Sequence, residues 1–217
     1  MNVESLCVAV IDIGKLENLG WVVEGPTISR AGTDIEVFIE VLVTAMNMGP
    51  LALGFEAPMF VPYGRSLSDL DKARQGDGDR AFSASVGASV LTKGLVIVPY
   101  ILERLRQGVR HAEPKFGWRE PLSHGDLLLL EAFVTHMGKS ASHEECARMA
   151  LNGFPRGFES RASFESAVSD TCTLNLLGAI LLRMGWTDDL SVLAEPCMVV
   201  RHKGDSKGTF REVPLRS

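Results

Sequence analysis

The start of the chain contains two apolar runs of the length of a β-strand, separated by a short polar segment. Two strand-like apolar runs, residues 5–13 and 19–24, are joined by the short polar connection 14–18. Two such runs separated by a short turn predict an antiparallel hairpin. A third and weaker strand is predicted at residues 26–30.

A helix and a buried strand are predicted next. From Thr33 to Met48 apolar residues recur on one helical face, with Thr33 or Asp34 as the N-cap. Gly49-Pro50 ends this helix, because proline cannot continue it. The continuous apolar run Leu51–Phe55 then predicts a strand that is buried on both faces.

The rest of the chain alternates helices and strands after a long loop. Residues 63–84 are rich in glycine and charge, which predicts a mobile loop over the carboxyl end of the sheet. The later predicted elements are helices at Ser89–Gln107, Ser142–Leu151 and Ser163–Met184, and strands at Leu127–Phe133 and Leu190–Val200. Strands separated by helices favour an α/β fold with a mixed sheet, in which the opening hairpin is the antiparallel part.

Length and composition indicate how many domains the chain has and where in the cell it is expected. The chain has 217 residues, of which 46% are hydrophobic, and this is enough to bury the core of one domain spanning 1–217. The first residues lack the pattern of a secretory signal, and no apolar run approaches the roughly 18 residues of a membrane span. A cytoplasmic protein without a membrane partner is expected.

Net charge narrows the class of partner. The formal charge of −5 argues against a surface built for non-specific binding to long DNA, because Lys and Arg supply most of that affinity. Basic residues do cluster in the segments Arg65–Arg80 and Arg104–Arg119, although both are typical of solvated faces. A structured or short nucleic acid therefore stays open as a partner, and oligomeric state is undetermined.

The cysteines do not form a recognisable motif. Cys7, Cys146, Cys172 and Cys197 are scattered without a Cys-x-x-Cys pair. Three of the four lie within apolar patterns, where a buried thiol is the usual occupant. Neither a zinc site nor a disulfide framework is indicated.

Four acidic residues are the candidate functional residues of this chain. Asp12, Glu56 and Glu131 each follow an apolar run that predicts a buried strand, and Asp170 lies near the start of the predicted late helix. Three acids at strand ends, with a fourth on a helix, predict that all four converge at one edge of the sheet.

Clustered carboxylates need a cation. Two carboxylates about 4 Å apart repel each other by roughly 4 kcal/mol at an effective dielectric near 20. Oxygen ligands without clustered His or Cys select a hard ion, Mg²⁺ or Mn²⁺. Two such ions would activate a water and stabilise the leaving oxygen of a phosphodiester. In this interpretation Asp12 bridges the ions, Glu56 holds one, Asp170 holds the other, and Glu131 is a further ligand.

Each acid also has a simpler explanation. Asp12 could shape the hairpin turn together with Gly14, and Glu56 could face water at the end of its strand. Asp170 could stabilise the positive end of a helix dipole by roughly 0.3 to 1 kcal/mol. Arg74 and Arg80 are candidate contacts to a substrate phosphate, and the histidines are interpreted as surface or loop residues.

Short motifs beside these acids resemble those of a known superfamily. They are Asp12-Ile13-Gly14, Gly20-Trp21, Phe55-Glu56-Ala57-Pro58 and Ser169-Asp170. On these motifs and on the order of its elements, the chain resembles the ribonuclease-H-like superfamily over about residues 5–185. Within it, the chain is most similar to an uncharacterised bacterial group catalogued as domain of unknown function 429.

This resemblance implies a fold and an activity. The fold is a ribonuclease-H-like mixed sheet with an N-terminal antiparallel hairpin and flanking helices, and the activity is that of a metal-dependent nuclease. The sequence departs from the pattern at Glu56, where the superfamily usually has aspartate, and residues 108–125 look like an insertion.

Three hypotheses about function follow. The first is a Mg²⁺- or Mn²⁺-dependent nuclease or phosphodiester hydrolase. The second is a phosphotransferase of the actin and sugar-kinase type, which also begins with a strand-ending aspartate but needs a second domain. The third is a non-catalytic binding or scaffold protein that keeps the fold.

Overall fold

The computed structural model describes residues 6–77, 82–117, 121–134, 142–155 and 164–202, and these residues form helices packed around a central sheet. The strands are β1 (Cys7–Asp12), β2 (Gly20–Glu24), β3 (Ser29–Gly32), β4 (Leu51–Glu56), β5 (Phe60–Pro62), β6 (Glu113–Lys115), β7 (Asp126–Val134), β8 (Thr173–Asn175) and β9 (Val199–His202). The helices are α1 (Ile35–Met48), α2 (Ser85–Gly108), α3 (His143–Asn152) and α4 (Leu176–Arg183).

The central sheet is mixed, with parallel strands in its middle. Its order is β3-β2-β1-β4-β7-β6, and β9 also pairs with β7. Strand β2 is antiparallel to both of its neighbours, β1 and β3, whereas β4, β6, β7 and β9 run parallel to β1. The predicted opening hairpin and the α/β class are therefore confirmed, and β3 lies slightly later in the chain than predicted.

Helices cover both faces of this sheet, because the central strands are apolar on both sides. Apolar side chains of α1, α2 and α4 form the larger core on one face. Helix α3 packs on the other face through Ala147, Ala150 and Leu151. Successive strand residues point alternately into these two cores, as the period of a pleated strand requires.

Helix α1 has the N-cap that the sequence indicates. The Asp34 carboxylate accepts hydrogen bonds from the backbone N–H groups of Glu36 and Val37, at 2.8 and 3.1 Å. These bonds satisfy two of the N–H donors that the first turn leaves open. The indole of Trp21 donates to the Asp34 carbonyl at 2.8 Å and packs on Phe38, so it fixes this helix start against the hairpin.

Helix α2 is longer than predicted and continues through Pro99. Of the residues described, it forms the one helix that is long and apolar enough to cross a membrane. Such a span was not expected from the sequence, because Lys93 interrupts the apolar run. A helix that packs on a soluble core can have the same composition, and α2 buries Val98, Ile101 and Leu102.

Two later elements differ from their predictions. The predicted helix at 163–184 is wrong over its first part, since residues 164–172 are irregular and α4 begins at Leu176. Residues Thr173–Asn175 instead pair as a strand with Phe60–Pro62. The predicted late strand is shifted, because residues 190–193 form a 3-10 turn and β9 starts at Val199.

Candidate functional site

Two of the four predicted acids lie side by side at the carboxyl ends of the central strands. Asp12 ends β1, Glu56 ends β4, and the two are direct partners in the parallel register. Register partners on adjacent strands are about 4.8 Å apart and point to the same face of a sheet. Asp12 is 2% exposed and Glu56 is 8% exposed. The structure therefore forms one buried acidic pair, Asp12–Glu56.

Helix α3 brings a histidine to this pair. His143 is the first residue of α3, and its Nδ1 lies 2.7 Å from Oδ2 of Asp12. Because a carboxylate accepts, Nδ1 carries the proton of this hydrogen bond, and Nε2 of a neutral ring can then accept another. The His143 side chain is 39% exposed. Asp12 thus orients a half-exposed imidazole that can exchange protons with a bound molecule.

Glycine at position 20 has no side chain, and this allows α3 to approach strand β2 closely. Gly20 is the register partner of Asp12 on β2. A Cβ atom built there would lie 2.1 Å from the Glu144 nitrogen and 2.1 Å from the His143 carbonyl carbon. No real Cβ tolerates such distances, so the start of α3 rests directly on the backbone of β2. Ser142 fixes the same helix start by accepting from the Glu145 N–H at 3.2 Å.

Replacement of Gly20 by alanine is therefore expected to displace α3. Forcing a methyl group into this contact should lower the free energy of unfolding by about 1–3 kcal/mol and lengthen the His143–Asp12 hydrogen bond. Urea denaturation measures the first effect, and NMR signals of the His143 ring report the second. Gly117→Ala is the control, because its Cβ would meet nothing within 4 Å. Equal behaviour of the two variants would contradict this account.

Glu131 lies on the opposite face of the sheet from the acidic pair. In the register between β4 and β7, Glu131 pairs with Phe55 and not with Glu56. An offset of one residue reverses the face on which a strand side chain lies. The contacts agree with this placement, since Glu131 Oε2 accepts from the Met59 N–H at 3.0 Å on the side of the larger core. The predicted convergence of three strand-ending acids is thus not what the structure shows.

The partner of Glu131 is Arg74, which is buried as completely as the acid. Its Nη1 and Nη2 lie 2.8 and 2.7 Å from the two oxygens of Glu131. Its Nη2 and Nε also bind the Asp77 carboxylate, at 2.9 and 3.0 Å. Nη1 donates further to the Phe60 carbonyl at 3.1 Å. We call Arg74, Asp77 and Glu131 the buried ion triad.

This triad corrects the prediction for Arg74. All three nitrogens of its guanidinium are bound within the protein, so Arg74 does not contact a substrate phosphate. Burial by itself would lower the pKa of Arg74, but the Glu131 and Asp77 carboxylates raise it above its usual value. Arg80, the other candidate phosphate contact, lies outside the described residues.

Asp170 also has an arginine partner and lies apart from the acidic pair. It belongs to the irregular segment before β8, where it forms an ion pair with Arg65. Its other oxygen accepts from the Thr171 N–H at 3.0 Å. Asp170 lines a cavity of about 630 Å³ together with Phe60 and Tyr63. Neither member of the acidic pair lines this cavity. Asp170 is therefore tied to residues 63–77, which are the first part of the mobile loop predicted at 63–84.

The four acids are thus divided between three places. Among the residues that the structure describes, no group of three or more His, Cys, Asp or Glu side chains is arranged to hold a metal ion. Asp12 and Glu56 remain as neighbours with buried oxygen donors, which suit a hard ion that takes its other ligands from water and substrate. Glu131 and Asp170 do not fit that role in this arrangement, because each pairs with arginine.

Comparisons with known proteins add no relative to this picture. The chain matches no protein-family model, and neither a curated protein nor a solved structure shows significant similarity to it. The site is therefore interpreted from its own geometry.

His143 is the residue that sequence reasoning missed. It lies 131 positions after Asp12, and no spacing in the sequence connects the two. One signal was available, since Ser142 and Glu145 have the spacing of a capping box and so place His143 in the first turn of a helix. That signal locates the helix start but does not show which strand it contacts.

Proposed function

We propose that the chain is a ribonuclease-H-like, Mg²⁺- or Mn²⁺-dependent phosphodiester hydrolase whose centre is Asp12, Glu56 and His143. The observation that carries this proposal is the register of β1 and β4, which puts two buried carboxylates side by side at the carboxyl edge of the sheet. Ligands commonly bind at this edge in open α/β sheets.

The fold supports the same proposal. The antiparallel opening strands, the parallel strands that follow and the helices on both faces are features that the resemblance implies. Asp12 and Glu56 lie at the strand ends where the resembling motifs have their acids. The proposal differs from the expectation in its ligand set, which now contains two carboxylates in place of four.

Burial makes the acidic pair a suitable cation site. Two carboxylates held at adjacent register positions repel each other, and a cation bound between them would relieve this repulsion. Mg²⁺ commonly binds to one or two carboxylates and completes its shell with water and phosphate oxygens. A divalent ion held there would stabilise the negative charge that develops on phosphoryl oxygens.

His143 contributes proton transfer in this proposal. Asp12 fixes the ring by binding Nδ1, which leaves Nε2 to take a proton from a water or to return one to a leaving oxygen. The same carboxylate stabilises the charged imidazolium that forms when Nε2 accepts the proton. Asp12 therefore has two roles, since it is a ligand of the cation and also the group that orients the base.

Calorimetric titration with Mn²⁺ tests the metal site without reference to any substrate. Asp12→Asn and Glu56→Gln should each weaken Mn²⁺ binding at least about tenfold, because each loses a charged ligand of the ion. Asp170→Asn is the matched control, since it makes the same chemical change outside the acidic pair, and it should leave affinity unchanged. Equal Mn²⁺ affinity in the wild type and in Asp12→Asn would remove the acidic pair from the site.

A further inference from the structure

Helix α2 has a second, exposed face that also contains large apolar side chains. Val96 is 71% exposed, Leu95 is 45% exposed and Tyr100 is 36% exposed. Leu16, in the connection between β1 and β2, is 67% exposed and lies beside the same face. Contiguous apolar surface of this kind commonly marks a site of protein association.

A shallow groove runs along this face. Its volume is about 710 Å³, and its apolar lining includes Leu16, Ile35, Val96 and Tyr100. Charged side chains lie at its rim, among them Lys93. The groove is bounded by α2, the start of α1 and the β1–β2 connection, and both helices pack on the main core. It is a preformed surface that does not require the fold to open.

One outward-facing stripe of α2 is complementary to itself. Its members recur at intervals of three or four residues, so they share one side of the helix. They are Ser89, Lys93, Val96, Tyr100, Glu103 and Gln107, all of which are exposed except the half-buried Lys93. A basic residue precedes the apolar centre and an acidic residue follows it at the same spacing. A second copy in the opposite direction would therefore place unlike charges together.

We propose that a second copy of this chain covers the stripe, and that the two α2 helices pack antiparallel about a two-fold axis. With the axis beside the midpoint of Val96 and Tyr100, Val96 of each copy faces Tyr100 of the other. Lys93 then comes within reach of Glu103 of the opposite copy. Such a contact is isologous and closed, which is the usual symmetry of a homodimer.

The charges at the ends of the stripe are available for this contact. Neither Lys93 nor Glu103 forms an ion pair with any other residue that the structure describes. The helix has 24 residues, so it is roughly 36 Å long and can support contacts over several turns. The acidic pair lies on other elements, and the dimer does not depend on the proposed hydrolase activity.

Sedimentation velocity over a range of protein concentrations tests the dimer. The wild type should sediment as a dimer, and Val96→Glu should raise the dimer dissociation constant at least tenfold. Leu190→Glu is the matched control, because Leu190 is 72% exposed but lies on a different element, and it should leave the constant unchanged. A monomeric wild type, or a dimer that survives Val96→Glu, would overturn the proposal.

A charge exchange tests the antiparallel arrangement itself. Lys93→Glu and Glu103→Lys should each weaken the dimer at low salt, because each puts like charges opposite one another. The double variant should restore it. A double variant weaker than both single variants would overturn the antiparallel pairing. Co-sedimentation of a monomeric wild type with phosphatidylcholine vesicles would also overturn it, because the occupant of α2 would then be a lipid surface.

Discussion

Replacement of Asp12 by asparagine is expected to lower the rate of Mn²⁺-dependent nucleic-acid cleavage by a factor on the order of a thousand. The substitution removes the negative charge of one of the two proposed cation ligands, which is also the group that orients His143. Charge stabilisation by a bound divalent ion amounts to several kcal/mol, and each 1.36 kcal/mol corresponds to a tenfold change in rate. Folding should persist, because an amide of the same shape still accepts the hydrogen bond from Nδ1.

The assay should offer several substrates to the purified protein. Single-stranded, duplex and branched DNA, the corresponding RNA, and ATP with a panel of sugars cover the candidate reactions. Asp170→Asn should retain the wild-type rate within about threefold, since Asp170 pairs with Arg65 away from the acidic pair. Cleavage that is unchanged in Asp12→Asn would refute the proposed centre. ATP turnover without cleavage would favour a phosphotransferase, and no turnover of any substrate would favour a non-catalytic protein.

The largest effect on stability is expected for Arg74→Met. This change leaves the buried carboxylates of Glu131 and Asp77 without their cation. Removal of one partner from a buried ion pair typically costs about 3–5 kcal/mol, because the remaining charge is not solvated. The variant should therefore lose about that much free energy of unfolding, as measured by urea denaturation at neutral pH.

A matched variant in the same segment distinguishes the effect of burial on stability from the effect of losing a positive charge. Lys72→Met also removes a cation from an ion pair, but Lys72 is 65% exposed and its partner Asp69 is 42% exposed. Water solvates both groups, so no measurable change in stability is expected. A loss as small for Arg74→Met as for Lys72→Met would show that the buried ion triad does not hold residues 74–77 onto the sheet.

The local elements were largely predictable from the sequence, because they depend on patterns within a few residues. The hairpin, helix α1 with its Asp34 cap, strand β4 and the start of α3 all follow from apolar spacing and capping residues. Asp12 and Glu56 were brought together correctly for the same reason, since each ends a strand whose apolar run is visible in the sequence.

The grouping of the four acids was not predictable in the same way. Whether Glu131 faces Phe55 or Glu56 depends on the register of β4 with β7, which the 69 residues between the two strands do not reveal. A shift of one residue would have put Glu131 on the face of the acidic pair. Its arginine partner lies in a loop 57 positions earlier, and no local pattern connects them.

The late helix was mispredicted for a different reason. The segment from Val168 to Thr173 has apolar residues at helical spacing but consists mainly of small polar and β-branched residues. Such residues hydrogen-bond their own backbone and lose rotamer freedom in a helix, so they favour irregular or extended structure. A tertiary contact also favours extended structure over helix here, because β8 pairs with β5. Asn175 then caps α4 by accepting from the Gly178 N–H at 3.0 Å.

The edge of β7 that faces away from β4 is covered only late in synthesis of the chain. Strand β6 covers the first part of this edge, whereas β9 covers residues Glu131–Val134 and arrives from almost seventy residues later in the chain. Until residues 199–202 have been synthesised, the backbone N–H and C=O groups of that stretch face solvent as an open strand edge. Open edges promote intermolecular strand pairing and aggregation. Among the strands that the structure describes, the one that covers this edge is thus the last in the chain.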